Sequence, residues 1–157
     1  KKKDWHVVLI ERVSDNPNDH HAGQLSFPGG KFEEKDYSYQ DCALREAEEE
    51  IGINASDVGV IGELSSIYIP VSNFLIYPFV GFMGEDPEFT IQRNEVQNII
   101  EVPLKHFLDG KNKKKTDIDI RGGILKDVPY YDINNQVLWG ATAMIMSEFE
   151  QVIRKII

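Results

Sequence analysis

Three glutamates in one short segment have the residue type and the spacing of a cation site. Glu46, Glu49 and Glu50 stand at positions i, i+3 and i+4, so on a helix their carboxylates project from one face. Like charges at this spacing repel one another, and a bound divalent cation removes that repulsion. Because the ligands are hard oxygens, we expect Mg²⁺ or Mn²⁺ rather than zinc.

A glycine turn precedes these glutamates. Pro28, Gly29 and Gly30 predict an abrupt reversal of the backbone, and bare glycine backbone can approach an ion or a phosphate closely. Carboxylates, a cation and an accessible turn are the tools for activating water and neutralising phosphate oxygens. An acidic helical run by itself is usually a solvated face, so the interpretation as a site depends on its register with this turn.

The helix that carries the glutamates is predicted over Tyr39 to Ile51, with Ser38 as its N-cap and Gly52 at its end. A helical turn at Leu104 to Leu108 and a helix at Ala141 to Ile156 follow later. Apolar runs between turn residues predict strands at Trp5 to Val13, Gly23 to Phe27, Val58 to Ile69, Phe74 to Phe82, Val96 to Val102, Thr116 to Ile120, Tyr130 to Ile133 and Gln136 to Trp139. This order predicts an α+β fold, an α/β/α sandwich with a mixed β-sheet.

The spacing around the glutamates is specific. Gly30 is followed by five residues, Asp36, eight residues, and then the run REAEEEIGI from Arg45 to Ile53. This pattern resembles the box of the Nudix hydrolases, which reads Gly, five residues, an acidic residue, seven residues, and Arg-Glu-apolar-x-Glu-Glu-x-Gly-apolar. Two departures, Asp36 for the usual Glu and one extra residue in the middle spacer, are familiar in the coenzyme A pyrophosphatase branch.

The resemblance to that branch extends through Gly23 to Gly30 and through Val128 to Phe149, so that it covers about half of the chain. It implies a Nudix-like sandwich and a hydrolase that converts coenzyme A or acyl-CoA to 3′,5′-ADP and 4′-phosphopantetheine. ADP-ribose, dinucleoside polyphosphates and damaged nucleotides are the rival substrates. A nucleotide-sensing domain without catalysis is the alternative outside the enzyme class, and the complete set of box glutamates argues against it.

The resemblance also implies roles for individual residues. It places metal binding at Glu46, Glu49 and Glu50, with the backbone carbonyl of Gly29 completing the coordination. Glu46 is a candidate base, and Arg45 occupies the position of the arginine that orients the acidic cluster. A distal glutamate from a later loop is common in the family; Glu95 is our candidate for it, with a solvated loop carboxylate as the equal alternative.

Substrate binding is expected at Gly29, Gly30 and Arg12, since Arg12 resembles the first of two arginines that the branch carries upstream of its glycine. The second does not match, because Ser14 to Asp19 contains an insertion and Asp19 stands in its place. A grip on the 3′-phosphate of coenzyme A would then need a substitute: His20, His21 or the run Lys113 to Lys115.

Composition limits the remaining possibilities. The chain has 157 residues and a net charge of −9, which fits one domain over residues 1–157 and argues against a nucleic-acid partner. The most apolar stretch, Asn73 to Met83, is too short to span a membrane. The lone Cys42 is typical of a reducing cytoplasm. The chain opens without Met, so we expect further N-terminal residues; the oligomeric state is left open, a homodimer included.

Overall fold

The computed structural model describes residues 4–13, 23–84 and 87–157. Three helices and ten strands occur in these ranges: β1 His6–Arg12, β2 Leu25–Ser26, α1 Tyr39–Ile51, β3 Gly59–Glu63, β4 Ile67–Ile69, β5 Phe74–Ile76, β6 Phe79–Phe82, β7 Val96–Pro103, α2 Leu104–Leu108, β8 Lys113–Ile120, β9 Gly123–Ile133, β10 Gln136–Leu138 and α3 Gly140–Ile156. Within the same ranges, no helix is both long and apolar enough to cross a bilayer.

The central sheet has the order β2-β1-β7, and it is covered on both faces. Successive side chains of a strand point to opposite faces. Leu9 accordingly packs into a core with Met146 of α3, whereas the next residue, Ile10, packs into a second core with Ile51 of α1. The predicted α/β/α sandwich and the α+β class are therefore confirmed.

The direction of the strands differs from the prediction. In place of a mixed sheet, every strand pair formed between described residues is antiparallel. Short turns join β4–β5, β8–β9 and β9–β10 and bring the chain straight back beside itself, whereas β1 and β7 of the central sheet pair antiparallel over a long connection. At the last of these turns, between the predicted strands Tyr130 to Ile133 and Gln136 to Trp139, Asn134 and Asn135 adopt positive φ angles of 52° and 70°, as a tight hairpin requires.

Helix α1 begins and ends where the sequence predicts. The Ser38 hydroxyl accepts a hydrogen bond from the Asp41 backbone N–H at 3.1 Å. At the other end, Gly52 adopts the left-handed conformation, with φ 70°, and its N–H donates to Glu48. A Cβ at Gly52 would lie 2.7 Å from the Thr90 side chain, so glycine is required here by both conformation and space.

The predicted strands over Val58 to Ile69 and Phe74 to Phe82 are each divided in two. Segment β3 pairs with β6 and segment β4 with β5. The first strand is interrupted between Glu63 and Ile67, and the second between Ile76 and Phe79, where Pro78 lacks a backbone donor. The hairpin β8–β9 is longer than predicted. Its outer part is exposed and polar and so lacks the apolar pattern that predicts a strand, and the ion pair of Lys126 with Asp117 at 2.6 Å links the two strands there.

A buried carboxylate fixes α3 to the hairpin β8–β9. Glu150, 3% exposed, accepts hydrogen bonds from the Tyr131 hydroxyl at 2.6 Å and from Arg154 at 2.9 Å, and it pairs with Lys113 at 2.6 Å. Burial by itself would raise the pKa of Glu150, but the hydrogen bonds from Lys113, Tyr131 and Arg154 outweigh burial and lower it.

We predict that Glu150→Gln lowers the free energy of unfolding at pH 7 by about 1–2 kcal/mol, because charge-assisted hydrogen bonds are lost. A lowered folded-state pKa stabilises the fold above the unfolded value of 4.5 and ceases to do so as the pH falls through the folded-state value. Urea unfolding of both proteins between pH 7 and pH 3 should therefore show the difference shrinking with acidification. Glu101→Gln, at an exposed position, is the control; an equal loss at every pH would contradict the prediction.

Candidate active site

Two of the three predicted glutamates lie against the glycine turn. Glu50 is 1% exposed, and its Oε2 accepts a hydrogen bond from the Gly29 backbone N–H at 2.9 Å. Glu46 lies so close to Gly30 that a Cβ there would be 2.3–2.5 Å from its carboxylate atoms. The turn and the acidic face of α1 thus form one continuous surface, which is the arrangement that the register of the sequence predicts.

Arg45 holds the acidic residues around it in place. Its Nε and Nη2 donate to the two oxygens of Asp36 at 2.7 and 3.0 Å, and its Nη1 donates to Glu46 at 2.9 Å and to Glu49 at 3.0 Å. Arg45 thus contacts the acidic residues of the box, as its position in the pattern implies. Hydrogen bonding to the guanidinium holds the pKa of Asp36 well below its usual range against the effect of burial, so this pair stays charged.

Glu49 is more exposed than the other two glutamates. Half of its side chain is exposed, and it contacts Arg45 and, at 3.4 Å, Lys35. Among the described residues, no three His, Cys, Asp or Glu side chains are grouped as ligands of one metal ion. In this conformation Glu46 and Glu49 are turned toward Arg45, and Glu50 is turned toward Gly29.

The charge on Glu50 is only partly compensated. Burial raises the pKa of Glu50 to about 7, while the Gly29 N–H and the charge of Arg12 act to lower it. The Arg12 guanidinium lies 3.8 Å from the Glu50 carboxylate, and the charges of Glu46 and Glu95 raise the pKa further. Glu95 and Arg12, both predicted from sequence, are therefore electrostatic neighbours of Glu50.

Backbone pairing explains why Glu95 comes to this place. Its carbonyl accepts a hydrogen bond from the Val13 N–H at 2.9 Å, so the residue before β7 is tied to the residue after β1. The side chain is exposed, in contrast to that of Glu50. Arg12, at the end of β1, and Glu95, directly before β7, thus lie at the same end of two paired strands of the central sheet.

The donor chemistry fits a hard divalent cation. Glu46 and Glu50 supply carboxylate oxygens beside a glycine turn with exposed backbone, and oxygen ligands are those that Mg²⁺ and Mn²⁺ prefer. A carboxylate whose pKa is raised by burial and by its acidic neighbours is a group that a nearby cation would stabilise. Glu46, Glu50 and the Gly29 carbonyl would hold such an ion.

The proposed substitutes for the second arginine have different fates. Asp19, His20 and His21 lie outside the described residues. Lys113 is engaged by Glu150 of α3, across the central sheet from α1, and Lys114 pairs with Asp132. The charges of these two lysines are thus already paired with carboxylates, which makes the run a poor candidate for phosphate binding.

Comparison with known proteins identifies the family. Residues 1–121 match the family model described as the NUDIX domain. A protein of Yersinia enterocolitica, described as an uncharacterized Nudix hydrolase, NudL, is 38% identical over 145 residues, which are 92% of this chain and 73% of that protein. This chain belongs to the Nudix hydrolase family.

Solved structures agree with the fold of this Nudix hydrolase. RenU, a Nudix hydrolase from M. smegmatis, aligns with a TM-score of 0.57 at 14% identity, over 96% of this chain and 74% of its own. A MutT Nudix hydrolase from Burkholderia pseudomallei aligns with a TM-score of 0.54 at 18% identity, over 93% and 89%. At these identities the likeness concerns the fold alone.

The sequence placed Asp36 in the box of this Nudix hydrolase but did not predict its role. Asp36 pairs with Arg45 through both carboxylate oxygens and so orients the guanidinium. The signal for this pairing is an acidic residue at a fixed distance before the arginine that begins the glutamate run. Asp36 is also fixed from its other side, since its Oδ2 accepts a hydrogen bond from the Glu33 N–H at 2.8 Å.

We predict that Gly30→Ala displaces the Glu46 carboxylate and lowers kcat at least tenfold, because the new methyl group would occupy the space of that carboxylate. The melting temperature should change little, since the displaced group is the end of a side chain. Gly62→Ala is the matched control, as a Cβ there meets nothing within 4 Å. Normal turnover by folded Gly30→Ala protein would show that the position of Glu46 is not important.

Proposed function

We propose that this Nudix hydrolase cleaves the diphosphate of coenzyme A or an acyl derivative with Mg²⁺ or Mn²⁺, releasing 3′,5′-ADP and 4′-phosphopantetheine. Family membership supports hydrolysis of a nucleoside-diphosphate-linked substrate. The choice of coenzyme A depends on the resemblance of Gly23 to Gly30 and Val128 to Phe149 to the coenzyme A pyrophosphatase branch. The observation that carries the proposal is the placing of Glu46 and Glu50 against the glycine turn.

The reaction is the attack of water on one phosphorus of the diphosphate. A bond forms between the water oxygen and phosphorus, the bond to the bridging oxygen breaks, and its electron pair leaves with the other phosphate. The proton of the water passes to a carboxylate base. A divalent cation, when bound, would neutralise the charge of the diphosphate oxygens and lower the pKa of the attacking water.

Glu46 is the better placed of the two candidate bases. Arg45 donates to its Oε1 at 2.9 Å, whereas its Oε2 accepts no hydrogen bond from a described residue and remains available for a proton. Glu95 is exposed, and its charge acts on Glu50, so it is the alternative. Arg12, partly exposed beside Glu50, can turn its guanidinium toward a phosphate of the substrate.

A cytoplasmic location belongs to the same proposal. Cys42 is the single cysteine of the chain, it is buried, and it can make no disulfide within the chain. Such cysteine usage is typical of proteins from a reducing compartment, where small nucleotide substrates such as coenzyme A would be met.

We predict that Glu46→Gln and Glu50→Gln each lower kcat by about a thousandfold or more in excess Mg²⁺, because the loss of a charged group in the site removes several kcal/mol of transition-state stabilisation. Both glutamines can still accept the present hydrogen bonds, so the fold should survive. Glu48→Gln, at an exposed position of the same helix, is the matched control and should hydrolyse coenzyme A normally.

Release of 3′,5′-ADP, measured by chromatography, is the readout for these variants, and circular dichroism confirms folding. Isothermal titration with Mn²⁺ should show weakened binding by Glu50→Gln. Near-normal turnover in both Glu46→Gln and Glu50→Gln would overturn the assignment of the site.

Substrate choice is tested by a panel. We expect kcat/KM to be higher for coenzyme A than for dephospho-coenzyme A by about tenfold, because the former carries the additional 3′-phosphate, a charged group worth one strong contact. Both compounds should exceed ADP-ribose and dinucleoside polyphosphates. Equal values with and without the 3′-phosphate, or preference for ADP-ribose, would contradict the coenzyme A assignment while leaving diphosphate hydrolysis intact.

A further inference from the structure

An exposed group of stacked rings lies next to the glycine turn. We call Phe32, Tyr39 and Tyr77 the aromatic platform. The rings of Tyr39 and Tyr77 are stacked, with centroids 4.1 Å apart and planes 8° from parallel, and Phe32 meets Tyr39 edge-on at 5.2 Å. Between 37% and 50% of each residue remains open to solvent. Large rings gathered at a surface rather than buried are typical of a binding site.

The aromatic platform is continuous with the acidic site. Phe32 comes two residues after Gly30, and Tyr39 is the first residue of α1. Tyr39 and Glu46 are seven residues apart, which is about two helical turns, so they lie on the same face of α1 about 10 Å apart along the axis. This separation is comparable to that between a diphosphate and the base of the nucleoside attached to it.

Lys31 lies between Gly30 and Phe32 in the chain. The Lys31 ammonium lies 5.1 Å from the ring centroid of Phe74, and no described carboxylate is paired with it. The other cations around the box, Arg12, Lys35 and Arg45, all have carboxylate partners. In a chain with a net charge of −9, an ammonium that follows the glycine turn directly in sequence and has no described carboxylate partner is a local attraction for an anion.

We propose that the aromatic platform and Lys31 form the subsite for a phosphorylated nucleoside, with the base against the rings and the ammonium of Lys31 toward a phosphate outside the diphosphate. This inference rests on the proposed function and names the end of the substrate that the platform receives. Rings stack well on bases, and the charge of Lys31 complements a phosphate, whereas an acyl chain would leave that charge unused. Lys31 would then bind the 3′-phosphate, a role for which the coenzyme A pyrophosphatase branch has a second arginine that this chain lacks.

Binding of product-like nucleotides tests the subsite without any hydrolysis. Isothermal titration in metal-free buffer with 3′,5′-ADP and with 5′-AMP separates the base from the additional phosphate. We expect Tyr77→Leu and Tyr39→Leu to weaken both nucleotides by about tenfold. Lys31→Gln should weaken 3′,5′-ADP several-fold more than 5′-AMP and should reduce the salt dependence of 3′,5′-ADP binding.

The chain offers matched controls for both kinds of variant. Tyr37, 98% exposed, lies two residues before Tyr39 and makes no ring contact with the described residues, so Tyr37→Leu should leave both affinities unchanged. Lys155→Gln removes an exposed lysine at the end of α3 and should be equally silent. Unchanged affinities in Tyr77→Leu, or equal losses in Tyr37→Leu, would overturn the inference.

The outcomes also separate this inference from the proposed function. If coenzyme A is not hydrolysed but Tyr77→Leu weakens nucleotide binding, the function is wrong and the subsite stands. If coenzyme A is hydrolysed and the Tyr39, Tyr77 and Lys31 variants keep normal affinity and KM, the subsite is wrong. Sedimentation analysis covers the remaining occupant: a dimer that Tyr77→Leu dissociates, with nucleotide affinity unchanged, would assign the platform to contact between copies and overturn the inference.

Discussion

The pairing of Arg45 with Asp36 is the interaction on which the arrangement of the site depends. The guanidinium meets both carboxylate oxygens, so its plane and position are fixed, and its remaining donors then determine where Glu46 and Glu49 can lie. A lysine could neutralise the same charge but could not set this orientation, because it lacks the planar fork of donors. Without the pair, Glu46 and Glu49 would lose the oriented donor that both of them share.

The second constraint is the burial of Glu50. A carboxylate in the interior costs free energy unless it is compensated, and here the protein offers one backbone N–H and a guanidinium at 3.8 Å. Glu50 is buried at the point where α1, the glycine turn and the end of β1 come together. Incomplete compensation at such a junction is typical of a functional site rather than of a structural ion pair.

Local sequence signals predicted the elements that depend on local chemistry. Helix α1 was predicted to the residue because Ser38 and Gly52 mark its ends, and the strands on either side of Asn134 were predicted because turn residues bound them. The predicted mixed sheet and the two long undivided strands were wrong, since strand direction and strand division depend on which segments pair across the sheet. In β8 the segment from Thr116 to Ile120 was predicted, whereas the lysines that begin the strand carry no local signal that distinguishes them from a charged loop.

The same distinction explains what was found in the site. The shared face of Glu46 and Glu50 follows from helical periodicity, and family resemblance pointed to Arg45. The contact of Glu49 with Lys35 as well as with Arg45 was not predictable, because it depends on how the segment before α1 folds back against the helix. The stacking of Tyr39 with Tyr77 joins residues 38 positions apart, and only tertiary structure reveals such a contact.

The alternation along β1 has an evolutionary consequence. Leu9 and Ile10 are consecutive, yet one belongs to the core under α3 and the other to the core under α1. Two adjacent codons therefore determine the packing of two separate cores, the one under α3 and the one under the glutamate helix α1. A substitution at Ile10 can change the packing under α1 while the core under α3 keeps its residues.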